Sequence, residues 1–390
     1  CLVHNEEMEI AGTPMAPSVI IDQNGTVLAS TGFSQGVATA TLRTRQYCRS
    51  IESEANLPLS RGLEAWKLYF NDSRSKYFAP LRRKFATPRK SAYKKRKIRI
   101  AVVTHRFAHQ IGKKDAPFLQ LVREACRHRP DIVVCTEMET ECKPEQPRIK
   151  THIQKLVAAC AKTDSHLLIG GIRVSKPSSP QDRSSHAWLW DRRGKQIFES
   201  AIMLYGRGCG QGICDTDFGR IGVRLCGDVY APELDRLFAA KGADIVFNPS
   251  MSWGPSGQIN AELGQVRAMD NGHYIVNAHL AFSDPGQRSQ IIDPMGGIVA
   301  ASAYGEDSIL VSEIDLDSPR GIFIPSGCRE IDPQSYLAAY RSRTTFALFS
   351  QRKLLKLRRP ELYEGIDQDR PDDHYVTRDR GDGCLLPIPQ

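Results

Sequence analysis

From Lys97 onward the chain alternates short apolar runs with amphipathic stretches, and this alternation restricts it to a layered α/β fold. "KIRIAVVTH", "DIVVC", "HLLIGGIRV", "GRIGVRLC", "ADIVFNPS" and "YIVNAHLA" read as buried strands. Between them, residues 115–128, 149–162, 231–241 and 259–271 read as helices. In the first, Phe118, Leu119, Leu121, Val122 and Ala125 recur at helical spacing. "AWLWDRRGKQIFES" reads as two strands joined by a turn at Arg193-Gly194. "SQIIDPMGGIVAAS" reads as a hairpin with a Gly-Gly turn, and "DSILVSEIDL" as a closing strand.

A repeat extends this pattern to the N-terminus. "SVIIDQNGTVLAS" at Ser18–Ser30 aligns without gaps on "SQIIDPMGGIVAA" at Ser289–Ala301, and "GVATATL" near residue 36 parallels "SILVSEIDL". Residues 1–42 therefore read as the end of another domain of the same kind. Three strands do not bury a core by themselves. They are expected to lie against the main domain, or the natural protein is longer. Residues 43–96 form a connector with helical character at "GLEAWKLYF", and residues 97–320 form the main domain. Residues 321–390 form an extension, helical at 334–357, that ends in a charged tail.

Composition excludes several function classes. The chain is 41% hydrophobic and 25% charged over 390 residues, ordinary for a globular protein with a real core. No apolar run approaches the roughly 20 residues that span a bilayer, and no signal or transit pattern opens the chain. Eleven scattered cysteines show no disulfide spacing, so a cytoplasmic setting is expected. Cys209 and Cys214 lack a second pair at zinc-finger spacing, and no metal or cofactor is expected. The net charge of +9 resides in one stretch, Arg82–Arg99, with ten Lys/Arg and no acid. A solvated linker explains that run better than nucleic-acid binding, because no base-reading module accompanies it. Cys1 in place of Met indicates processing or a fragment. An N-terminal thiol can be a nucleophile, but the repeat argues against that role for Cys1.

Two local strings can carry chemistry. In "GRIGVRLCGDVYAPEL" a strand delivers Cys226 into a Gly227-Asp228 turn just before a helix, a setting that favours thiolate. Gly227 permits close backbone approach, so its N–H can face an oxyanion. The competing reading is a buried structural cysteine. In "PDIVVCTEMET" a buried strand ends at Glu137. A carboxylate there points into the crevice where α/β sheets place their sites and can serve as general base. Glu139 shares its face if the strand continues, so periodicity does not choose between the two.

Together these strings resemble the nitrilase superfamily of carbon–nitrogen hydrolases. "DIVVCTEME" is similar to the family's Glu strand, and "DFGRIGVRLCGDVYAPELDRLFAAKGADIVFNPSMSW" to its Cys segment. "QVRAMDNGHYIVNAHLA", "IIDPMGGIVAAS" and "RRPELYEGI" resemble its later segments. The resemblance covers about residues 97–370. It implies a four-layer αββα sandwich, usually paired with a second sandwich as a homo-oligomer. It also implies cleavage of a non-peptide C–N bond of a small amide or nitrile, with Cys226 as nucleophile, Glu137 as base and an acyl-enzyme intermediate. Trp253 and Arg207 fall where the substrate pocket is expected.

One family element is missing. The family's Lys falls on "GKQIFESAIMLYGRG", where this chain has Ala201 or, with a one-residue shift, Ile202. No lysine occurs between Lys195 and Lys241. That cation stabilises the oxyanion, and losing one such donor costs on the order of a hundredfold to a thousandfold in rate. Arg207 is the candidate substitute, although a guanidinium is bulkier and differently shaped. Two expectations follow: a thiol amidase or nitrilase with an unusual or missing cation, or a weak or inactive homologue that binds or assembles.

Overall fold

The computed structural model describes residues 18–21, 27–31, 37–41, 81, 93, 96–106, 115–141, 147–174, 183–201, 212–251, 255–281 and 288–317. The expected helices at 62–70 and 334–357, and the charged tail, lie outside the described residues. Two compact units divide the chain. One takes in residues 1–64, and the other takes in residues 65–322, each with part of the C-terminal stretch.

The larger unit contains two six-stranded sheets. The first comprises β3 (Lys97–Thr104), β4 (Ile132–Glu141), β5 (His166–Val174), β6 (Arg183–Trp190), β7 (Gln196–Ala201) and β14 (Ser308–Asp315), in the order β14-β3-β4-β5-β6-β7. The second comprises β8 (Ile213–Asp215), β9 (Arg220–Val223), β10 (Ile245–Ser250), β11 (Tyr274–His279), β12 (Gln290–Ile292) and β13 (Ile298–Ala301), in the order β13-β12-β11-β10-β9-β8. Each sheet has a parallel centre, β3-β4-β5 or β9-β10-β11, flanked by antiparallel strands. Parallel neighbours need crossover connections. Helices α1 (Asp115–Arg127) and α2 (Pro147–Ala161) supply them in the first sheet, and α3 (Pro232–Ala240) and α4 (Pro255–Asn271) in the second.

Side-chain alternation explains the layering. Ile98, Ile100 and Val102 of β3 enter one core with Ile221, Val223, Ile245, Phe247 and Val276 from the other sheet. Their neighbours Ala101 and Val103 instead pack with Phe118, Val122 and Leu156 of α1 and α2. Val246 and Ile275 pack with Leu234, Phe238 and Ala268 of α3 and α4. The order of layers is therefore α–β–β–α, as the resemblance implied. Each fully buried aliphatic side chain contributes about 1.5–3 kcal/mol, and strands buried on both faces explain the unbroken apolar runs. β8 has no counterpart in the sequence reading, because three residues are too few to display a period.

The basic run is not wholly a solvated linker. Arg96 reaches Asp244 at 2.9 Å and Asp317 at 3.1 Å, and it also donates to the Phe218 carbonyl. Tyr93 donates to Asp215 at 2.7 Å, and Leu81 is fully buried beneath α3 and α4. The end of the connector is thus built into the domain. Among the described residues no helix is long and apolar enough to cross a membrane.

In the smaller unit, β1 (Val19–Ile21) and β2 (Val27–Ser30) form an antiparallel hairpin. Its pairs Val19↔Ser30, Ile20↔Ala29 and Ile21↔Val27 repeat Gln290↔Ala301, Ile291↔Ala300 and Ile292↔Ile298 of β12-β13. The register shift falls at the same step, between Ile20 and Ile21 and between Ile291 and Ile292. Even the closing contacts match. Ser18 N–H donates to Thr31 Oγ1 at 3.1 Å, as Ser289 N–H donates to Ser302 Oγ at 3.0 Å. Thr31 N–H returns to the Ser18 carbonyl, as Ser302 N–H returns to that of Ser289. Residues 37–41, expected as a third strand, show no strand pairing.

Candidate active site

Glu137 owes its direction to a β-bulge. Val134 pairs with Leu168 and Glu137 with Gly170, so β4 carries one residue more than β5 over that interval. Simple alternation from Val134, which faces the inter-sheet core, would put Thr136 on that face. The extra residue puts Glu137 there instead, a common use of bulges beside functional sites. Thr136 meets His105 Nε2 at 3.3 Å. Gly170, next to Glu137 in the ladder, lets the sheets close together. A Cβ there would lie 2.7 Å from Pro249 Cβ and 3.3 Å from Leu225 Cδ2. A second register shift follows Met138, and the side chain of Glu139 lies outside the described residues.

Cys226 opens a 3₁₀ turn, Cys226–Tyr230, separated from the end of β9 by two residues and lying just before α3. Its φ is +42°, in the left-handed region that L side chains avoid at a cost of about 1–2 kcal/mol. Such strain persists only where the surroundings enforce it. Asp228 Oδ2 accepts the Leu225 N–H at 3.1 Å, and the Arg267 guanidinium on α4 donates to the Val229 carbonyl. Arg224, fully buried, pairs with equally buried Asp235 on α3, which also faces His273. For Asp235, burial is the largest influence and raises its affinity for a proton. Arg224, His273 and Arg267 outweigh it and hold the carboxyl below the usual range. Gly227 is buried inside the turn. Asp228, expected as a turn residue, therefore acts as the clamp of its own loop.

The structure brings the two expected residues together. The Cys226 thiol donates a hydrogen bond to the Glu137 carboxylate, which also accepts from the Ser185 hydroxyl and from the Met251 main chain. Glu137 is 3% exposed. Burial raises its titration above the ordinary carboxylate range, and the three hydrogen bonds only partly oppose this. Among the described residues no cation contributes to that balance.

Ala201 is not beside this pair. It lies opposite His186 in the ladder and shares its face with His186, which stacks on Trp188 and contacts Glu199 at 3.0 Å. The residue of β7 on the Glu137 row is Ser200, through Glu137↔Gly170, Gly170↔Ala187 and Ala187↔Ser200. Ile202, Arg207 and Trp253 lie outside the described residues. Cys214 is a free thiol in β8, pushed up to about 11 by burial and by Asp215, and Cys209 lies outside the described residues.

The sequence reading missed Ser185, the Met251 main chain and the Arg224–Asp235 pair. A serine among "RSSHAWLW" carries no motif. Only the facing of Ala187 and Leu189 into the core would have placed it.

Residues 116–321 match the carbon-nitrogen hydrolase family. A chloroplastic omega-amidase of Arabidopsis thaliana is 30% identical over 198 residues, 49% of this chain and 46% of that protein. A deaminated glutathione amidase of Synechocystis sp. is 29% identical over 130 residues, 32% and 47% of the two chains. This chain thus spans about half the length of these curated relatives. The crystal structure of a carbon-nitrogen hydrolase from Helicobacter pylori G27 superposes with a TM-score of 0.51 at 17% identity. That superposition covers 69% of this chain and 98% of that one, a likeness of fold.

Proposed function

The chain belongs to the carbon–nitrogen hydrolase family, and from that premise we propose that it is an amidase-type thiol hydrolase acting on a small amide or nitrile. The hydrogen bond from Cys226 to Glu137 carries this reading. In the amide case, Cys226 Sγ attacks the carbonyl carbon while its proton passes to Glu137. The tetrahedral adduct collapses, the C–N bond breaks, and Glu137 returns the proton to the leaving amine. Water then attacks the thioester, with Glu137 taking its proton, and the carboxylic acid leaves as the thiol re-forms. Gly227 N–H is the oxyanion donor in this scheme. Because no lysine occurs between Lys195 and Lys241, acylation is the slow step in this scheme. Ammonia release from short primary amides tests the scheme. Slow release that disappears in Cys226→Ala and in Glu137→Gln supports it, and release that survives both contradicts it.

A second reading has its own observation. The hairpin at 18–31 repeats β12-β13 pair for pair, bulge for bulge and hydroxyl for hydroxyl. This supports a tandem protein in which the present domain partners another sandwich and serves binding or assembly. The full-length natural sequence decides it. A second Glu–Lys–Cys set there favours this reading, and an unrelated sequence removes it.

A further inference from the structure

Glu137 is held by three donors from three elements: the Cys226 thiol after β9, the Ser185 hydroxyl on β6 and the Met251 main chain after β10. Among the described residues, Cys226 is the one titratable group in that set. A carboxylate offers about four acceptor positions. Two neutral donors that do not take part in the reaction would fix its plane and leave a lone pair directed at sulfur. Ser185 is suited to this, because it shares the inward face of β6 with Ala187 and Leu189, whose side chains enter the inter-sheet core. It also sits one residue before His186, the partner of Ala201.

We propose that Ser185 is a positioning residue for the general base, its hydroxyl orienting the Glu137 carboxylate toward Cys226 Sγ. The proposal rests on the reading of Glu137 as the base of Cys226. A hydroxyl supplies direction without charge. It aids removal of the thiol proton and does nothing for the oxyanion, so Ser185 acts before the tetrahedral adduct forms. The residue therefore governs how readily the thiol is activated, a property separable from turnover.

The test is the pH dependence of Cys226 alkylation by iodoacetamide in the full chain, followed by peptide mass spectrometry. A hydrogen bond to a charged group shifts a titration by about one pH unit when removed. Ser185→Ala should move the acid midpoint upward by about that amount and slow labelling roughly tenfold on the acid limb. Ser185→Thr, which keeps the hydroxyl, should restore the original profile, and Ser185→Ala should add nothing in a Glu137→Gln background. If Glu137→Gln changes the profile while Ser185→Ala leaves it unmoved, Ser185 is only a packing neighbour and the proposal fails. If Glu137→Gln itself changes nothing, the base assignment fails first and takes the Ser185 role with it.

Discussion

Glu137 of one sheet accepts a hydrogen bond from the thiol of Cys226, which follows a strand of the other sheet. The contact exists because a bulge turns Glu137 inward and because a left-handed φ of +42° turns Cys226 out of its strand direction. Neither local device acts alone. Gly170 lets the two sheets approach closely enough for them to meet.

Burial lifts the Glu137 carboxyl, so its proton acceptance begins at higher pH than the roughly 4.3 of a free glutamic acid. The rate of Cys226 alkylation should show an acid limb above that value. Glu137→Gln should abolish the limb and leave only the thiol's own titration. An unchanged limb in Glu137→Gln would mean that the pair is not coupled.

The lysine question now has a direction. Ala201→Lys would place its ammonium on the face of His186 and Glu199, away from Glu137, and should leave acylation unchanged. Ile202→Lys, at the other candidate position, should accelerate acylation by a reactive ester by on the order of a hundredfold. Acceleration by Ala201→Lys alone would overturn the facing of β7. Robust amidase turnover in the unmodified chain that disappears in Arg207→Ala would show that Arg207 supplies the cation.

Much of this was legible in the sequence. The layered α/β class follows from alternating periods, and the αββα order from the family resemblance. Every apolar run from Lys97 to the closing strand contains a strand, but β4 runs on to Glu141 where an end at Glu137 was expected, and β9 stops at Val223, short of Cys226. The pairing of Cys226 with Glu137 was legible only through family resemblance. Alternation places Thr136 inward, and a bulge leaves no periodic trace. The same ambiguity put Ala201 forward for the lysine, since a one-residue slip reverses the face of a strand. Ser185 was illegible because its role depends on which strand lies two positions away across the sheet from Glu137.

His279, fully buried at the end of β11, is pushed down to about 4 by burial and by the charge of Arg224. Its neutral form is the one the fold accepts. The associated stability is complete above the unfolded histidine value of roughly 6.5 and drains away as pH falls toward about 4. Urea unfolding should weaken by on the order of 3 kcal/mol across that interval from this residue. His279→Gln should flatten the pH slope, and an unchanged slope would contradict the assignment.

The Arg224–Asp235 pair secures the Cys226 turn to α3 from behind. Removing one partner strands a buried charge, so Asp235→Asn should destabilise the fold by about 3–5 kcal/mol in chemical denaturation. Because Asp235 titrates below the usual range, its contribution persists above ordinary carboxylate values and fades only as pH falls through its lowered one. A loss below 1 kcal/mol would show that the pair is solvated and not structural.

Covalent trapping tests the central claim most directly. The protein is mixed briefly with p-nitrophenyl acetate, quenched in acid and mapped by peptide mass spectrometry. Acetyl should appear on Cys226, and its yield should fall sharply in Glu137→Gln. The rival thiol is Cys126, drawn down to about 7 by the Cys160 thiol 3.7 Å away, yet only 3% exposed. Acetyl on Cys126 or Cys214 with Cys226 unmodified would contradict the thiol–carboxylate site.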